Sequence, residues 1–177
     1  MIRRVLPLSL FLFACDKKEE ASTSASTPSS DATDPMTEYM RKSKATEAKV
    51  HLKGIARGVQ FASEEERMGP DGTVQKVAIV AAPLTPAAGE CCKHPQKKCA
   101  PNNEQWKQPG WQALAFELPD AHYYSYELVV DDTGFTARAV GDLDCDGTLA
   151  TYELRGTKKP DGTYEVAPEI TEQNPLE

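Results

Sequence analysis

An α+β domain, with a long N-terminal amphipathic helix packed on an antiparallel sheet of about four strands, is the fold class the sequence predicts. Three observations point to it. Apolar residues between 45 and 62 recur at helical spacing, and the residues after 73 form short β-branched or aromatic runs broken by turn signals. The chain has 177 residues, 40% of them apolar, enough for one modest core. No apolar run approaches the ~20 residues of a membrane-spanning helix.

The helix is marked at both ends. Asp34-Pro35 places a capping residue before a proline at the first helical position, and Glu38 falls in the first turn, where the helix dipole favours negative charge. Ala45, Ala48, Leu52, Ile55, Val59 and Ala62 step by three and four along one face, while Lys44, Glu47, Lys49, Lys53 and Arg57 occupy others. Gly54 and Gly58 each cost about 1 kcal/mol relative to alanine in a helix interior, so either another element approaches closely there or the positions are tolerant surface. Glu64-Glu65-Glu66-Arg67 followed by Gly69-Pro70 ends the helix, with carboxylates at its negative pole favouring fraying.

The remainder reads as a meander of strands. Val74–Ala82 is apolar and β-branched, and the Phe116–Val130 region contains the strand-like run His122–Val130. Asp132-Thr133-Gly134 turns this run into Phe135–Val140 as a hairpin. Thr148–Leu154 supplies the next strand, and Lys159-Pro160-Asp161-Gly162 turns into a short Thr163–Val166 segment. Trp106 and Trp111, flanking Pro109-Gly110, are expected to cover an edge of the core.

Lys and Arg total 20 against 27 Asp and Glu, a formal charge of −7, and no basic stripe is visible. A nucleic-acid partner is therefore not expected, because phosphate binding needs clustered positive charge. At the N-terminus, Arg3 and Arg4 precede a short apolar stretch and then Ala14-Cys15, the pattern of a signal peptide over residues 1–14. Leu12-Phe13-Ala14-Cys15 resembles the lipobox of bacterial lipoproteins, apart from Phe13, where a smaller residue is usual. The resemblance implies cleavage before Cys15, a diacylglycerol on its thiol and acyl chains such as palmitate, hence a cell-envelope protein held to a membrane by its lipid. The alternative is an ordinary cleaved signal with Cys15 incidental. Asp16 resembles the residue that retains lipoproteins in the inner membrane of enteric bacteria, a rule that varies among bacteria, so inner and outer membrane both stay open. Cleavage takes the formal charge from −7 to −9, so overall charge is not expected to add adhesion to anionic lipid and the anchoring falls to the acyl chains. Residues 15–34 lack aromatic and large aliphatic side chains after Cys15 and form a tether with an r.m.s. reach of about 24 Å, leaving 35–177 as the globular domain.

The segment Arg41–Ile55 resembles the part of the long N-terminal helix of type IV pilins and pseudopilins that leaves the membrane and packs on a sheet. Tyr124-Ser125-Tyr126 and Phe135–Asp144 are similar to sheet strands of pilins from delta-group bacteria. The resemblance implies a pilin-like globular domain with a binding or structural role, partnered with type IV pilus or type II secretion proteins. Pilins also carry a prepilin-peptidase site and an apolar helical half that builds the filament core. This chain has a lipid signal and a polar tether in those places, so polymerisation by the pilin route is not expected.

Cys91, Cys92, Cys99 and Cys145 are even in number in an exported chain, which favours two disulfides with three possible connectivities. Cys92–Cys99 with Cys91–Cys145 is the preferred pairing, since adjacent cysteines rarely bridge each other. Cys91, Cys92, His94 and Cys99 also offer zinc-type ligands, although the adjacent pair lacks the spacing of structural zinc knuckles.

Asp142-Leu143-Asp144-Cys145-Asp146-Gly147 through Glu153 satisfies D-x-D-x-D-G-x₅-E, the spacing of a calcium loop. Its flanks read as strands rather than helices. At ~3.3 Å per residue an extended Glu153 lies too far from Gly147 to close the coordination shell. Two readings follow: a partial calcium site built from Asp142, Asp144 and Asp146, as in pseudopilins that bind calcium in the sheet region, or a turn whose aspartates bond local amides around a left-handed Gly147. The three histidines, His51, His94 and His122, have no nucleophile motif beside them, so an enzyme is not expected.

Overall fold

The computed structural model describes residues 34–177. The predicted signal peptide, the lipidation site Cys15 and the tether up to residue 33 lie outside the described residues. The helix α1 runs Pro35–Glu64, 30 residues, within a residue of the boundaries its punctuation predicts. Asp34 starts it through its main chain: its carbonyl accepts from Glu38 N–H at 3.1 Å, and its side chain makes no capping bond. The expected face is buried, joined by Ala56 and Ser63.

After α1 the expected single strand at Val74–Ala82 is divided. Val74–Lys76 (β2) pairs with Glu66–Met68 (β1) in an exposed two-stranded hairpin, and Ala82–Thr85 (β3) joins the main sheet, leaving 77–81 between them outside both sheets. The apolar run is continuous, but its two ends have different partners, which periodicity does not encode. The hairpin of Tyr124–Val130 (β4) and Gly134–Gly141 (β5) forms as predicted, followed by Ala150–Lys158 (β6), Tyr164–Val166 (β7) and Thr171–Gln173 (β8). The sheet therefore has 6 strands rather than about four, in the order β3-β4-β5-β6-β7, all antiparallel, with β8 also on β6. The strands absent from the sequence reading are short. β3 contains Pro83, which an edge strand tolerates, and β8 is wholly polar and exposed, with no alternation to betray it.

Register builds the core row by row. Tyr126, Ala139 and Tyr152 stand opposite one another across β4, β5 and β6, and so do Leu128, Ala137 and Leu154. Small side chains thus line the central strand between large ones, and the alanine-rich face of α1 lies over β5, β6 and β7. On the solvent face, Glu127, Arg138 and Glu153 form a cross-strand ladder with Arg138 Nη1 to Glu127 Oε2 at 2.7 Å and Nε to Glu153 Oε1 at 2.9 Å.

A second layer closes the other flank of α1. A 3₁₀ turn at Asn103–Trp106 and the short helix α2, Pro109–Ala113, place Trp106 and Trp111 edge to face at 5.5 Å, both buried, so they form part of the core. Trp111 Nε1 donates to Thr85 Oγ1 at 3.0 Å and fastens the layer to β3.

The two helix glycines now separate. A Cβ on Gly58 would stand 2.8 Å from the Leu114 carbonyl oxygen, whereas one on Gly54 would meet only Phe116 at 3.9 Å. Gly58→Ala is expected to destabilise the domain by about 1–3 kcal/mol through overpacking against backbone. Gly54→Ala should be neutral or stabilising by up to about 1 kcal/mol. Urea denaturation of both variants measures the contrast.

Candidate functional site

The acidic loop and the cysteine-rich segment meet at one end of the sheet. Residues 142–149 connect β5 to β6, and buried Leu143 turns inward to pin the loop to the core. Asp142 organises it: Oδ1 accepts from the N–H groups of Cys145 at 2.6 Å and Asp146 at 3.2 Å, and Oδ2 accepts from Gly147 N–H at 3.0 Å. Asp146 Oδ1 accepts from Thr148 N–H at 2.7 Å, a bond that holds the Asp146 carboxyl below its ordinary range. These bonds hold a backbone with Cys145 at φ +65° and Gly147 at φ +97°. The left-handed Gly147 was legible in the sequence; the left-handed Cys145 was not.

The structure brings Asp142, Asp144 and Asp146 together, one carboxylate oxygen from each within 4.8 Å of the others. Most of their oxygens are already engaged, although Asp144 Oδ1 is buried without a hydrogen-bond partner among the described residues. Besides the backbone bonds, Arg41 Nη2 donates to Asp144 Oδ2 at 2.8 Å, and Lys97 Nζ donates to the Asp144 carbonyl at 2.8 Å. A calcium ion here would compete with the Arg41 guanidinium at Asp144 and with the backbone donors at Asp142 and Asp146. Glu153, the last acid of the motif, lies on β6 in the solvent-face ladder with Arg138 and Arg155.

All four cysteines of the domain are paired, but the expected partners are exchanged. Cys91 bridges Cys99, with Cα atoms 4.0 Å apart, and Cys92 bridges Cys145 at 5.6 Å. The predicted Cys92–Cys99 and Cys91–Cys145 pairing is therefore corrected. Cys91–Lys93 form a 3₁₀ turn, in which successive side chains point about a third of a turn apart. Cys91 is buried toward Cys99, itself fixed by paired backbone bonds with His122, and Cys92 faces the acidic loop. Both sulfur pairs are oxidised, so the zinc-type set of Cys91, Cys92, His94 and Cys99 offers no thiolate; His94 sits half-buried on the loop.

Of the other two histidines, His51 is on α1 and His122 pairs its backbone with Cys99. His51 packs edge-on between Phe116 and Tyr126, and burial pushes its pKa down. His122 is buried; its Nδ1 lies 3.0 Å from the Asp120 carbonyl, which can only accept, and desolvation lowers its pKa too. Glu47, expected on a solvated face, is covered by residues 114–126: it accepts from Tyr123 N–H at 2.8 Å and Tyr126 O–H at 3.4 Å, and burial raises its pKa. Sequence reasoning missed this group because helical periodicity locates one buried face, whereas α1 has two.

Sequence also gave no hint of Arg41's part. Its guanidinium joins three segments: Nη2 binds Asp144 in the acidic loop, and Nη1 donates to the Leu176 carbonyl at 3.0 Å beside Glu177. Lys49 meets Glu172 at 2.7 Å, so the C-terminal segment is strapped along α1 by two ion pairs.

Asp142→Ala removes the acceptor for three loop amides and is expected to lower stability by about 1–3 kcal/mol in chemical denaturation. Millimolar calcium should leave the melting temperature of the unsubstituted protein unchanged in calorimetry, since a ligand that binds the folded state would raise it. Separately, Cys91→Ser/Cys99→Ser should leave Cys92 and Cys145 bridged, with neither reacting in a thiol titration, whereas Cys91→Ser/Cys145→Ser separates both pairs. Loss of the Cys92–Cys145 bridge should cost about 2–5 kcal/mol. Comparison of the chain with protein-family models, curated proteins and solved structures gives no match.

Proposed function

We propose that the chain is a lipid-anchored cell-envelope protein with a pilin-like globular domain, held to the membrane through Cys15 and serving a binding or structural role beside a type IV pilus or type II secretion machinery. The observation that carries the reading is cysteine usage. Four of the five cysteines are bridged to one another, which suits an oxidising compartment outside the cytoplasm. That pairing leaves Cys15, at the end of a signal-like segment, as the odd cysteine of the chain, available for acylation. The pilin-like part rests on the resemblance of Arg41–Ile55 and Phe135–Asp144, and the α+β architecture with its single long helix is compatible with it.

A calcium-binding lipoprotein using Asp142, Asp144 and Asp146 is the second reading. Their mutual proximity favours it, and the hydrogen bonds of Asp142 together with the Arg41 ion pair count against it.

The anchor is tested by fractionating cells that express the full chain. The unsubstituted protein is expected in the membrane fraction with a mature N-terminus at Cys15 carrying diacylglycerol by mass spectrometry. Cys15→Ser should abolish the lipid mass, and an unmodified Cys15 in the parent would overturn the reading. Affinity capture from envelope extracts under crosslinking then tests the partner, with pilus or secretion components the expected outcome.

A further inference from the structure

Between Pro35 and Lys44 no residue of α1 is buried, whereas from Ala45 onward one side of the helix lies on the sheet. This leading end carries Met36, Tyr39 and Met40, exposed by 64%, 69% and 53%. Met36 and Met40 belong to the helical row that continues through Lys44, Glu47 and His51. Inside the domain that row is covered: Tyr123 N–H bonds Glu47, and Phe116 packs on His51. Among the described residues nothing extends the cover to Met40 and Met36.

Positive charge gathers just behind this apolar end. Lys44 and Lys98, one from α1 and one from the cysteine loop, place their ammonium groups 4.9 and 4.5 Å from the centroid of the Tyr123 ring. Neither takes part in an ion pair among the described residues. The other cations on this end of α1 are neutralised, Lys42 by Glu38 and Arg41 by Asp144 and Glu177, so Lys44 and Lys98 are the ones left without an ion pair there.

The residues outside the structure decide the occupant. The described chain begins at Asp34, two positions before Met36, and residues 16–33 contain no aromatic or large aliphatic side chain that could cover the apolar end. With Cys15 in the bilayer, residues 16–33 connect the membrane directly to this end of α1. Methionine and tyrosine backed by lysine suit the boundary between acyl chains and anionic headgroups, where apolar area and electrostatic attraction add.

We propose that the tethered end of α1, Met36, Tyr39 and Met40 with Lys44 and Lys98 behind them, docks on the surface of an anionic lipid bilayer, so that the anchored domain stands in a fixed orientation. The proposal rests on the lipid-anchored reading of Cys15.

The test uses the full mature chain, isolated with its lipid and reconstituted into vesicles of phosphatidylethanolamine and phosphatidylglycerol with brominated acyl chains. Met40→Trp reports the docking end, Val50→Trp reports an exposed position further along the helix, and the unsubstituted chain supplies the background of buried Trp106 and Trp111. Tryptophan at 40 is expected to shift to the blue and lose most of its emission, while tryptophan at 50 keeps its own. Lys44→Gln with Lys98→Gln should weaken the contact by about fivefold per lysine removed. Unquenched emission at 40 in chains whose Cys15 carries diacylglycerol overturns the docking and leaves the anchor standing. A chain without lipid on Cys15 overturns the anchor, and the docking is then judged by the same quenching when that chain is added to the vesicles. A blue shift at 40 that appears without vesicles and grows with protein concentration assigns the surface to a second copy and overturns the proposal.

Discussion

The close approach of α1 to the middle of the sheet is the contact on which the rest of the domain depends. Ala45, Ala48, Ala56 and Ala62 on the helix, and Ala137 and Ala139 on β5, are small enough for backbones to near each other, while Tyr126, Tyr152, Leu128 and Leu154 rise on either side from the neighbouring strands. Packing at interior density makes this arrangement specific, because a larger side chain in the central row would lift the helix and open voids along its flanks. Strand register fixes the row, and the helical repeat fixes the face that meets it. The same contact aims Arg41 toward the acidic loop and the C-terminus, and Glu47 toward Tyr123 and Tyr126.

The long irregular segment between β3 and β4 is held by covalent bonds and by tryptophan rather than by sheet. Cys91–Cys99 closes the loop on itself, Cys92–Cys145 ties it to the β5–β6 connection, and Cys99 and His122 exchange backbone hydrogen bonds across its neck. Such a segment, poor in regular hydrogen bonding, needs crosslinks to limit its unfolded ensemble. The acidic loop benefits from the second bridge, since Cys145 is held in a left-handed conformation from both sides: by Asp142 through its N–H, and by Cys92 through its sulfur.

Charge is distributed with a matching logic. On the solvent face of the sheet, acids and arginines alternate across strands as Glu127, Arg138 and Glu153, a partly exposed ladder that contributes register more than stability. Along α1, Arg41 and Lys49 hold the C-terminal strap, and the Tyr152 hydroxyl bonds the Pro175 carbonyl beneath it. Lys44 and Lys98, neither in an ion pair among the described residues, share the Tyr123 ring instead.

The sequence by itself determined the features whose causes are local. The start and end of α1, its buried face, the β4–β5 hairpin with its Asp132-Thr133-Gly134 turn, and the left-handed Gly147 follow from propensity, periodicity and capping, each acting over a few residues. Only the tertiary structure decided the features that depend on which segment comes alongside. The run from Val74 to Ala82 was divided between two sheets, polar Thr171–Gln173 became a strand because β6 offered it an edge, and Glu47 left solvent because residues 114–126 crossed over it. The same reason governs the cysteines and the acidic loop. Two adjacent residues of one 3₁₀ turn differ in partner only through the direction each side chain takes, and three aspartates at calcium-like spacing bind backbone or metal according to which donors surround them. Direction and surroundings are properties of the assembled domain, so a one-dimensional pattern carries the candidates and the packed structure chooses among them.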